Sequence, residues 1–221
     1  MGRAVAVHEC MTRRLSSIGI VCLLLYACLA SEASAEWYVA GQFGVNFADR
    51  LTDVSGTNGF AGLTAPDFDL KNSLTYGGKI GYFPGHGSFG IELDAFHTTP
   101  HIKNLDDVPG IHMRVTMAAV NFILRYPGET FQPYAGVGVG AVIAHLSNSP
   151  TTQSDSDVAA GLNLLAGIRA FVTPYVALFT EYKFTQATFR FDDAFNGFGT
   201  QGGFMGDYRA QQLMVGVSYH F

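Results

Sequence analysis

Beyond residue 35 the chain has no cysteine, few charges and no long apolar run, and each shortage removes a class of protein. All three cysteines, Cys10, Cys22 and Cys28, lie in the first 35 residues. The remainder therefore offers no disulfide framework, no thiolate nucleophile and no cysteine metal site. No later stretch approaches the roughly twenty apolar residues that a helical membrane span needs. Charged residues make up 14% of the chain, against roughly 25% in an ordinary soluble domain. Residues 1–35 hold Arg3, Arg13, Arg14, Glu9 and Glu32, so ten basic and sixteen acidic residues remain, a net charge of −6. That acidity leaves no basic footprint for nucleic acid.

Glycine and aromatics are plentiful instead: 26 Gly and 18 Phe among 221 residues, with 48% hydrophobic overall. The length suits one domain. Low charge with many aromatics suits a surface that meets lipid, but it suits a buried β-sandwich equally, so composition alone leaves both open.

The first 35 residues read as a leader rather than as part of the fold. Arg13 and Arg14 are followed by an apolar core from Ile18 to Ala30, and Ala33-Ser34-Ala35 offers a small-residue cleavage site before Glu36. This is the three-part pattern of a cleavable secretory signal peptide. Met11 is the expected true start, which N-terminal sequencing of the precursor would check. A twin-arginine signal at Arg13-Arg14 and a lipoprotein box at Leu25-Tyr26-Ala27-Cys28 are weaker alternatives. The apolar residue expected soon after Arg13-Arg14 is weak here, and tyrosine fits the lipoprotein box poorly.

From residue 36 to the end, apolar and small or polar residues alternate with period two in segments of about ten. Leu213, Val215, Val217, Tyr219 and Phe221 alternate with Gln212, Met214, Gly216, Ser218 and His220. Near Trp37 the same holds: Val39, Phe43, Val45 and Phe47 oppose Tyr38, Gln42 and Asn46. Six further segments behave alike, around Leu74–Tyr82, Phe89–Ala95, Val120–Tyr126, Ala135–Ile143, Val158–Ile168 and Val176–Phe184. That predicts eight strands. Their connections alternate in length. Pro84-Gly85-His86-Gly87, Pro127-Gly128-Glu129-Thr130 and Thr173-Pro174 read as tight turns. Residues 48–72, 99–111, 146–157 and 191–206 read as long loops. Short turns on one side and long loops on the other are the rhythm of an up-and-down transmembrane barrel with both mature termini periplasmic. A sheet in lipid must close, because every backbone group there needs a partner.

With Glu36-Trp37-Tyr38-Val39 opening this region, Pro133-Tyr134-Ala135-Gly136-Val137-Gly138-Val139-Gly140, Glu181-Tyr182 and the aromatic close on Phe221, the chain resembles the small outer-membrane β-barrel family that includes the OmpA transmembrane domain and OmpX-like proteins. The resemblance covers residues 36–221. It implies a single eight-stranded antiparallel barrel domain in a Gram-negative outer membrane. It also implies that the barrel-assembly machinery reads Tyr219 and Phe221. OmpA-like proteins with a periplasmic peptidoglycan-binding domain carry more chain than this, so cell-wall anchoring is not implied.

Alternation sends Lys79, Glu92, Asp94, Arg125, Arg169, Glu181 and Lys183 into the lumen. The bland reading is a paired network filling a space just wide enough for side chains; the sharp one is a polar path for small solutes, with the strand-five glycines leaving room. The bland reading is preferred, since unpaired ions there would be costly. Asp94, His97 and His101 suggest metal ligation or acid–base chemistry, but Asp94 and His97 face opposite sides. Asp192, Asp193 and Asp207 read as a solvated loop cluster before they read as a cation site. His145-Leu146-Ser147-Asn148 loosely resembles the His-x-Ser signature of lipid A deacylases, with no acid to orient the histidine. Unchanged lipid A acylation in Ser147→Ala would dispose of it. The expectation is thus a monomeric, non-enzymatic barrel without cofactor, metal site or nucleic-acid partner. It would contact outer-membrane lipid and lipopolysaccharide, serve as envelope scaffold and surface-loop display with room for slight permeability, and use residues 48–72 as its main recognition surface. A narrow porin is the first alternative and a lipid A-modifying hydrolase the second.

Overall fold

The computed structural model describes residues 35–59, 61–64, 68–99, 101–102, 113–146, 155–191 and 202–221. The leader through Ser34, with Met11 and Cys28, lies outside them, as do Pro66, Ser147, Asn148, Asp192 and Asp193. Eight long strands form the wall: β1 (Glu36–Asn58), β2 (Ser73–Phe83), β3 (Phe89–Thr98), β4 (Met113–Arg125), β5 (Phe131–Leu146), β6 (Asp155–Phe171), β7 (Val176–Phe191) and β8 (Gly202–His220). Each pairs antiparallel with its sequence neighbours, and β8 returns to β1, so the sheet closes. Closure leaves no open edge at the level of the apolar wall, which lipid demands.

The seam is tied at its base by reciprocal backbone hydrogen bonds between Trp37 and Phe221, at 3.0 and 2.9 Å. At this terminal rim β2 and β3 are joined through a 3-10 turn at Pro84–His86, where Gly85 takes φ 62°. A side chain at Gly85 would be strained in that left-handed backbone. The other two short connections span 126–130 and 172–175. The strand ends that lead into the long connections all lie at the opposite, loop rim. Two short strands there, Phe68–Lys71 and His101–Ile102, pair with each other, and the first also pairs with β1 at Arg50–Leu51.

The strands run further than the sequence suggests. Residues 48–58 continue β1 through two irregularities in register, and β8 begins at Gly202. The expected loops 48–72 and 191–206 are therefore shorter, and so is 146–157, since β6 starts at Asp155. The reason is a change of solvent along one strand. In β7, Leu178, Thr180 and Tyr182 point outward and exposed while Glu181, Lys183 and Thr185 point in. Higher up, Thr188 and Arg190 are the exposed outward residues, and Ala187, Phe189 and Phe191 are buried inside. The phase of alternation is kept but its polarity inverts. The same inversion occurs on β8, with Val215 and Leu213 outward below and Arg209 outward above a buried Tyr208 and Ala210. On β4, Val120 and Phe122 face outward below Arg114, with Val115 and Met117 buried inside. Reading apolar residues as the outer face ends each strand where the lipid ends, although the ladder continues above it.

Candidate functional site

Six of the seven lumen charges meet in one layer in the lower half of the barrel. Lys79 on β2 lies opposite Asp94 on β3, and Gly81 opposite Glu92. Glu181 and Lys183 project from β7 on the far wall. Lys79 Nζ crosses the lumen to Glu181 Oε2 at 2.7 Å and also donates to Glu92 Oε1 at 3.1 Å. Lys183 Nζ donates to Asp94 Oδ2 at 2.5 Å and to Gln42 Oε1 at 3.0 Å, while the Gln42 amide donates to Asp94 Oδ1 at 2.6 Å. The Tyr38 hydroxyl donates to Glu92, and that of Tyr134 to Glu181 at 2.8 Å. Asn121 and Asn163 extend the chain, Asn163 to Asn121 at 2.9 Å and Asn121 to Glu92 at 3.1 Å. Arg169 joins through Glu92 at 3.9 Å, its guanidinium lying 4.2 Å from the Tyr38 ring centre and 4.7 Å from that of Tyr134. Glu92, Asp94 and Lys183 are fully buried. Burying such ions costs several kcal/mol each unless partners surround them; Glu92, Asp94 and Lys183 each have at least two here, whereas Arg169 Nε and Nη1 are buried without a hydrogen-bond partner.

Arg125, the seventh, belongs to a separate cluster at the terminal rim. Its guanidinium grips Glu36 with both terminal nitrogens, at 2.8 and 2.5 Å, and stacks 3.7 Å from the Phe83 ring centre. Glu36 also meets His220 Nδ1 at 2.7 Å. Sequence reading missed Glu36, although it shares the inward parity of Tyr38. Its inclusion sets Glu36, Glu92, Asp94 and Glu181 against Lys79, Arg125, Arg169 and Lys183, so these two clusters balance four against four. Ser218 Oγ lies 2.9 Å from His220 Nε2, so a hydroxyl, an imidazole and a carboxylate follow one another here. Chemistry would need substrate at the hydroxyl. Ser218 is fully buried beneath His220, and the cleft of about 350 Å³ below it is lined by Glu36, His220 and Tyr175 but not by Ser218.

The strand-five glycines leave no free space. A Cβ on Gly136 would stand 2.6 Å from Ile123 Cδ1, and one on Gly138 only 2.1 Å from Asn121 Oδ1, so β4 side chains occupy the room. Above the ionic layer a packed apolar plug fills the lumen: Phe96, Val115, Met117, Val142, Phe189, Phe191 and Tyr208 are all buried.

The remaining candidates do not converge. Asp94 is buried in the lumen, whereas His97 is half-buried on the outer wall, 2.8 Å from Thr116 Oγ1; His101 sits in the short loop strand. Among the described residues no group of three or more His, Cys, Asp or Glu residues would hold a metal. Asp207 accepts from the Thr188 hydroxyl at 2.7 Å and lies 3.9 Å from Arg209. His145 is exposed on the outer wall opposite Arg114. Tyr219 and Phe221 face outward at the terminal rim, their rings 6.1 Å apart.

Residues 19–221 match the family model for the outer membrane protein beta-barrel domain. The chain belongs to this family. The outer membrane is its place on that ground. No curated protein sequence matches it. Among solved structures it is similar to Neisserial surface protein A (NspA), at 14% identity and TM-score 0.54, covering 85% of this chain and 99% of that one. It is similar as well to Ail, the attachment invasion locus protein of Yersinia pestis, in complex with the heparin analogue sucrose octasulfate. That match has 17% identity, TM-score 0.50, and covers 85% and 99% of the two chains. A third is the N-terminal barrel domain of Pseudomonas aeruginosa OprF, with 18% identity, TM-score 0.43 and coverage of 84% and 97%. At these identities the likeness is one of fold.

Proposed function

We propose that this is a non-enzymatic, non-conducting outer-membrane barrel that acts as envelope scaffold and displays its loop rim at the cell surface, with both mature termini periplasmic. The single observation that carries the reading is the filled interior. An ion crossing the lumen would have to break the Lys79–Glu181 and Lys183–Asp94 pairs and then pass an apolar plug centred on Phe189 and Phe191. Either step alone costs several kcal/mol. The orientation rests on the alternation of tight turns and long connections, since barrels of this kind keep short turns on the periplasmic side. The outward, exposed rings of Tyr219 and Phe221 are consistent with a role as the assembly signal of the last strand.

Ser218, sealed from the terminal cleft, offers no accessible hydroxyl for catalysis; Ser147 lies outside the described residues. With β1 and β8 continuing above the wall, the part of 48–72 left for display among the described residues is Gly59, residues 61–64 and the short strand Phe68–Lys71. The test is current through the purified, heat-modifiable barrel in a planar bilayer. A folded, silent barrel is expected. Steady discrete openings that shift when Lys79 or Glu181 is neutralised would replace this reading with that of a narrow porin.

A further inference from the structure

The outer wall carries an imprint that scaffold and display do not use. Arg114 on β4 lies directly opposite His145 on β5, and His145 opposite Ser156 on β6, all outward-facing. One row below stand Thr116, hydrogen-bonded to His97, and Ile143; below these are the small residues Ala118 and Ala141. The next rows, Val120 opposite Val139 and Phe122 opposite Val137, form with Ile91 the sides of an apolar groove of about 390 Å³. Its floor is the wall at Asn121 and Gly138. Six residues separate the cationic row from the groove, about 20 Å along the strand and about 15 Å of depth once the barrel tilt is counted. That is about half the thickness of a bilayer core. No outward position on β3, β4, β5 or β6 is acidic among the described residues.

We propose that Arg114 and His145 seat a phosphate of an outer-leaflet glycolipid, one of whose acyl chains lies over Ala118 and Ala141 into the groove. The cationic row stands where the wall changes from apolar to polar, the level at which lipid headgroups sit. A headgroup phosphate there meets two donors, with no outward carboxylate on these four strands among the described residues, and charge-assisted hydrogen bonds of this kind are the strong ones. The ordinary bilayer supplies acyl chains everywhere, so specificity comes from the Arg114–His145 pair and the groove being in register on one pair of strands. This inference rests on the orientation given above, with the loop rim at the outer leaflet.

The test is native mass spectrometry of the folded protein in detergent, titrated with phosphorylated lipid A, dephosphorylated lipid A and phosphatidylglycerol. The protein should retain phosphorylated lipid A. Apparent affinity should fall at least about tenfold in the Arg114→Glu/His145→Ala double variant, and comparably in Val139→Trp, which fills the groove. Gln186→Glu, on the opposite wall, should leave it within about twofold. Heat-modifiable mobility of each variant shows that the barrel has folded. Retention unchanged in both the charge and the groove variants, or equal binding of dephosphorylated lipid A, overturns the proposal. Equal binding of phosphatidylglycerol overturns the glycolipid as occupant. Conductance in a planar bilayer is a separate readout, so failure of the sealed-barrel reading and failure of the lipid seat show up in different measurements.

Discussion

The lower and upper halves of this barrel are built from the same strands yet solve opposite problems. Around Glu181 and Lys183 the wall faces lipid, so the polar residues turn inward and must satisfy one another. Around Phe189 and Tyr208 the wall faces water, so the apolar residues turn inward and the polar ones outward. The upper half is therefore an ordinary hydrophobic core wrapped in sheet, stacked on an inside-out one. The boundary lies near Gln186, Gln211, Thr116 and His97, where outward residues stop being apolar. Backbone pairing crosses it unbroken on β7 and β8 from Tyr219 to Phe204. What changes is only which face the solvent rewards.

The two halves should break differently. Lys79→Met leaves Glu92 and Glu181 without their shared cation, and a buried pair broken from one side costs about 3–5 kcal/mol; urea-driven unfolding of the barrel in lipid vesicles should report it. Phe189→Ala should cost about 3 kcal/mol, but locally, opening the upper core to protease while the lipid-embedded wall stays intact on limited proteolysis. Val139→Arg, placing a charge against the hydrocarbon, should lose about 2–4 kcal/mol in the same unfolding assay. Thr188→Arg, outward on the watery side, should lose about 0–1 kcal/mol. Equal losses from the last two would remove the boundary drawn here.

Much of the lower half was legible from alternation alone. Lys79, Glu92, Asp94, Glu181 and Lys183 fall inward because each opposes apolar neighbours such as Ile80, Leu93 and Tyr182, and closure brings them together across the lumen. Glu36 was passed over because it opens the chain's first strand, where a single parity step hardly reads as a pattern. The upper half does not read as strand in the sequence, because outward apolar residues cease where the lipid ends. Thr188, Phe189, Arg190 and Phe191 keep the period of two, but with the polarity of a soluble sheet. The partners within the ionic layer lie beyond sequence reasoning. Whether Lys79 takes Glu181 or Asp94 is decided by the register of strands on opposite walls.

The most direct test of the two-solvent account is nitroxide accessibility along the outward positions of β7. Labels at 178, 180, 182 and 184 should be reached by oxygen and not by a water-soluble nickel reagent, and labels at 186, 188 and 190 should show the reverse. Oxygen accessibility continuing through Arg190, or aqueous access reaching down to Tyr182, would contradict a single boundary at which the barrel exchanges one core for the other.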